Sequence, residues 1–109
     1  MLAALLASLI SLAVSPTQCF EPCEVKLTIR LTEPEQTREV CIHLDGDGLE
    51  RHSCWPPQTK TNETRIGNIP AGAYAIWASG IMAGGKPIET PRRALIVLGE
   101  RDWRRDDGF

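Results

Sequence analysis

The sequence predicts an all-β domain, a small antiparallel β-sandwich preceded by an N-terminal signal helix. Two observations carry the sandwich: beyond the leader, apolar residues alternate with polar ones, and Gly, Pro or Asp-Gly breaks interrupt the alternation at short intervals. A third carries the leader: the first fourteen residues hold no charge. With 109 residues, the chain has room for one domain once a targeting segment is set aside.

The apolar run Leu2 to Val14 is shorter than the roughly 20 residues a membrane-spanning helix needs. It has the apolar character of a secretory leader, with small residues at Ser11, Ala13 and Ser15 offering cleavage between Ala13 and Thr17. Only the terminal amine supplies positive charge ahead of it. The expected division is a signal peptide over 1–17, the sandwich over 18–99 and a charged tail or linker over 100–109, as of the N-terminal part of a longer extracellular protein.

Residues 24–32 alternate throughout, with Val25, Leu27, Ile29 and Leu31 on one face of a strand. Residues 32–39 are polar and contain Pro34, so they read as a loop. A second strand over 39–45 places Val40, Ile42 and Leu44 on one face. Asp45-Gly46-Asp47-Gly48 then supplies a hairpin turn, because Asp-Gly pairs tolerate the positive φ angles it needs. A third strand over 49–55 stops at Pro56-Pro57, since Pro cannot donate to a ladder. Residues 56–62 read as a loop and 64–69 as a short strand. After the turn Pro70-Ala71-Gly72, the strand 73–79 sets Tyr74, Ile76 and Ala78 against Trp77 on the other face. Gly80 to Pro91 reads as a long turn, and 93–99 as a final strand buried on both sides.

Two segments resemble extracellular immunoglobulin-like or fibronectin-like sandwiches over about residues 24–99. In IPAGAYAIWASG, Ile69, Pro70, Gly72 and Tyr74 form a turn like the one that carries such a chain into a central strand. VCIHLDG is similar to their middle hairpin. Trp55 directly follows Cys54, so the cysteine-tryptophan-cysteine spacing of antibody domains is absent. The resemblance implies a fold, not a ligand.

Charge is nearly balanced, 12 Lys and Arg against 14 Asp and Glu, with no basic face for nucleic acid. Four cysteines behind a leader argue for two disulfides in an oxidising compartment, hence a secreted or lumenal protein. Four cysteines allow three pairings. If Asp45 faces Glu50 across the turn, Cys41 falls opposite Cys54 and Cys19 is left to pair with Cys23. The same register gathers Cys41, His43, His52 and Cys54 on one face. As free thiols they would make a tetrahedral zinc set; as a disulfide they leave two surface histidines.

Other motifs point less far. Asp45 to Glu50 is acidic but lacks the oxygen ligand and glycine that a calcium-binding EF-hand loop needs at its fifth and sixth positions. Glu33, Glu35 and Glu39 form a loop cluster with nothing to separate their acidities. Cys41 or Cys54 beside a histidine would act as a nucleophile only if reduced. No G-x-S-x-G, phosphate-loop or H-E-x-x-H motif occurs. Asn62-Glu63-Thr64 is an N-glycosylation sequon. Trp55 and Trp77 are the candidate ligand contacts, with Trp103 in the charged tail. The expectation is therefore a non-catalytic interaction module with a protein or glycan partner, no cofactor and no membrane span once a leader is removed.

Overall fold

The computed structural model describes residues 9–46, 48–57 and 59–99. These form nine strands: β1 (Ile10–Ser15), β2 (Gln18–Phe20), β3 (Cys23–Leu31), β4 (Thr37–Gly46), β5 (Leu49–Trp55), β6 (Thr61–Ile69), β7 (Gly72–Met82), β8 (Pro87–Glu89) and β9 (Arg93–Leu98). One 3-10 turn, Pro34–Gln36, precedes β4, where the Thr37 hydroxyl donates to the Glu33 carbonyl at 2.8 Å. No helix among the described residues is long and apolar enough to cross a membrane.

The strands make two sheets, one of order β1-β3-β6 and one of order β2-β9-β7-β4-β5 with β8 added to β7. All pairings are antiparallel except that of β2 with β9. The chain changes sheet at five connections, β1–β2, β2–β3, β3–β4, β5–β6 and β6–β7, while β4–β5 and β7–β8 are hairpins within the larger sheet.

Period-2 patterning builds that core. Val25, Leu27, Ile29 and Leu31 of β3 are fully buried and cluster with Val40, Ile42 and Leu44 of β4, Ile76 of β7, and Leu95 and Val97 of β9. Tyr74 joins them and anchors the turn before β7, its hydroxyl donating to the Pro70 carbonyl at 2.8 Å. Gly80 is needed where β4, β7 and β8 converge: a Cβ there would lie 2.9 Å from the Glu39 carbonyl.

Several elements differ from the sequence expectation. Residues 10–15 are strand β1, hydrogen-bonded along β3, where a signal helix is expected. Ile10, Leu12 and Val14 alternate with Ser11, Ala13 and Ser15, a pattern that suits a strand with one apolar face. Residues 1–8 lie outside the described residues. β2 went unread because three residues are too few to show a period. β4 begins at Thr37 and β6 at Thr61, so parts of two expected loops are paired strand. The long turn over 80–91 is the end of β7, a tight turn and β8. β9 buries one face rather than two, because Ala94 and Ile96 point away from the core.

Candidate interaction face

The outward side chains of β4, β5 and β7 follow from the inward ones. With Val40, Ile42 and Leu44 in the core, Cys41, His43 and Asp45 face out. On β5 the matching residues are Cys54, His52 and Glu50, which are their direct cross-strand partners. The first rung is a disulfide, Cys41–Cys54, with Cα atoms 4.0 Å apart. The second disulfide joins Cys19 to Cys23. The expected disulfide is thus formed, and both sulfurs of the alternative zinc set are oxidised; a disulfide sulfur is not the thiolate that zinc or a nucleophilic step requires. Glu39 lies near the Cys41–Cys54 bridge, but that group offers a metal only one carboxylate.

The second rung extends into a row across the sheet. His43 is directly opposite His52 on one side and Trp77 on the other. The imidazole rings stack 6.0 Å apart, 13° from parallel. His43 and Trp77 stack at 4.9 Å, also 13° from parallel. The Arg92 guanidinium also lies over the indole, 4.0 Å from the ring centre, and is carried by the chain entering β9, which pairs with β7 on the side away from β4. The order across the sheet is thus Arg92, Trp77, His43, His52. Inverse alternation placed Trp77 outward as soon as Tyr74 was inward. The residues flanking it come from elements distant in sequence, and no local signal names them.

His43 is held by a 2.8 Å hydrogen bond between its Nε2 and the Ser79 hydroxyl. Its pKa is lowered below the ordinary histidine value by burial first, then by His52 and Arg92, while Glu89 acts in the opposite direction. Among the described residues, no carboxylate hydrogen-bonds this imidazole.

A shallow cleft of about 480 Å³ opens beside the row, lined by Trp77, Ser79, Ile81, Glu89 and Arg92 among others. Neither a protein-family model nor a curated protein matches this chain.

Trp55 does not share this face: it is half-buried and packs against the core at the end of β5. Trp103 lies outside the described residues, as does Asp47 of the acidic turn. The sequon falls on β6 rather than in a loop, with the Asn62 amide donating to the Thr59 carbonyl at 2.9 Å. Sequence reading missed Arg51. It spans the flank between β5 and β6, edge strands of different sheets, and donates to the carbonyls of Gly67 at 2.5 Å and Asn68 at 3.2 Å. Asn68 has φ 55°, which turns its backbone at the end of β6.

Proposed function

We propose that this chain is a secreted, non-catalytic interaction module on an immunoglobulin-like sandwich, and that it meets a protein partner through the outer face of its larger sheet. The crossing connections between two sheets and the Tyr74–Pro70 hydrogen bond support the fold reading, because a tyrosine tied back to the backbone upstream is a hallmark of such sandwiches. Two disulfides and the apolar leader support an oxidising, extracellular setting. The row Arg92–Trp77–His43–His52 carries the binding reading. Trp and Arg are the side chains that most often dominate protein interfaces, and here each is pre-ordered by its neighbours, so little freedom is lost on binding.

A sugar ring needs an uncovered aromatic face. Trp77 already carries His43 and Arg92 against its ring and Trp55 packs against the core, which favours the protein reading over the glycan one. The test is to screen the full chain, with Trp77→Ala and Arg92→Ala variants shown to be folded, on arrays of extracellular proteins and of glycans. Protein binding that falls by at least about tenfold in both variants is expected, from an anchor worth more than about 1.4 kcal/mol. Protein binding indifferent to both variants, or binding to glycans alone, would overturn the reading.

A further inference from the structure

The leader pattern and the fold use the same residues. Leu2 to Val14 form an uncharged apolar run, yet Ile10–Ser15 are β1. We propose that Ile10–Ser15 is retained as the first strand of the working domain. The edge of β3 is then a strand-binding site whose occupant is this segment, and any removal of a leader cuts on its N-terminal side. The proposal rests on the export reading above, but the two fail separately.

The pairing runs without interruption from Ile10 opposite Leu31 to Ser15 opposite Lys26. It is extended by the Thr32 amide, which donates to the Leu9 carbonyl at 3.1 Å. Beyond β1 the chain is held again where the Ile96 amide donates to the Thr17 carbonyl at 3.0 Å. Ile10 and Leu12 are 2% and 5% exposed and belong to the core, and β1 also contacts β7 of the opposite sheet.

A cut between Val14 and Gln18 would therefore remove the backbone partners of one edge of β3 and empty two core positions. Unpaired backbone groups and core voids are both costly, and an uncovered edge with an alternating apolar face invites other strands. β1 suits that edge in charge as well as shape. Its small neutral residues Ser11, Ala13 and Ser15 lie opposite Arg30, Thr28 and Lys26. A second copy of β3 is a poor substitute: pairing antiparallel about Thr28 would set Lys26 against Arg30, and like charges directly opposed are destabilising.

The experiment uses the full chain expressed in an exporting host. Folded, disulfide-bonded protein is isolated from each compartment, and its intact mass and N-terminal sequence are measured. An N-terminus at or before Ile10 is the expected result in whichever compartment the protein is found. Recovery only from the cytosol with that N-terminus would overturn export and leave the strand assignment standing. A folded monomer beginning between Val14 and Gln18 would overturn the proposal and leave export standing. A second readout uses two variants of the same chain. Leu12→Ala is expected to lower Tm by about 10 °C or more, and the outward-facing Ala13→Ser by less than about 2 °C. A Leu12→Ala melt matching wild type would likewise overturn the proposal.

Discussion

His43 and Trp77 stand directly opposite each other on β4 and β7, with ring centres 4.9 Å apart. The contact ties His43, whose pKa is lowered chiefly by burial, to an indole that is also covered by Arg92. Protonating His43 would place a cation between Trp77 and His52 with Arg92 close by. The face therefore couples its charge state to its packing.

This coupling predicts a pH-dependent stability. The unfolded chain takes up the His43 proton near the ordinary value of about 6.5, and the folded chain takes it up only at lower pH. Between those two values the unfolded state binds more protons, so stability rises with pH. The His43 contribution is complete above about pH 6.5 and is lost as pH falls toward the lowered folded-state value. Thermal melts at neutral and mildly acidic pH should show a Tm decrease in wild type that is smaller in His43→Gln. An equal decrease in both would place the effect elsewhere.

The two disulfides should differ in worth. Cys41–Cys54 closes a separation of 13 residues and Cys19–Cys23 one of 4. In the chain-entropy account the longer loop contributes about 3 kcal/mol and the shorter about 2 kcal/mol. Urea unfolding of the Cys41→Ser/Cys54→Ser pair should show the larger loss. The opposite ranking would mean that β2 depends on its bridge more than the β4–β5 hairpin does.

Arg51 is the side chain that links the edges of β5 and β6. Arg51→Ala should cost about 1–2 kcal/mol, the range for a hydrogen-bonding charged group that remains partly solvated. Arg51→Lys should recover only part of it, because an ammonium does not reproduce the planar fork that reaches two carbonyls. Chemical denaturation of the three proteins measures this directly, and full recovery by lysine would show that charge alone suffices.

Asn62 lies near the start of β6 and is half-buried, with its amide bonded to Thr59. In a glycosylating host the sequon can be modified before β6 pairs with β3. Asn62→Gln is then expected to lower the mass of the secreted chain by one glycan. Identical masses for the two proteins would show the site to be unoccupied.

Much of the fold was legible because each strand carries its own period. Val25, Leu27, Ile29 and Leu31 announce the buried face of β3, and Val40, Ile42 and Leu44 that of β4, without reference to any other strand. The β4–β5 register was legible as well. A two-glycine acidic turn sets Asp45 opposite Glu50, and every later pair, including Cys41–Cys54 and His43–His52, follows by counting. From the same counting the sequence offered two chemistries for these four residues; the bonded sulfurs leave the disulfide.

By itself, then, the sequence determined what is local: which residues of a strand share a face, where hairpins turn, and that an uncharged apolar segment opens the chain. Only the tertiary structure decided that Ile10–Ser15 lie along β3, that Trp77 is enclosed by His43 and Arg92, and that Arg51 spans the open flank. The physical reason is common to all three. Apolar alternation specifies a face but not a neighbour, because neighbours are set by sheet order, and sheet order joins segments far apart in the chain. An alternating run such as Ile10–Ser15 satisfies the pattern of a leader as well as that of a strand, and its pairing along the edge of β3 is what distinguishes them.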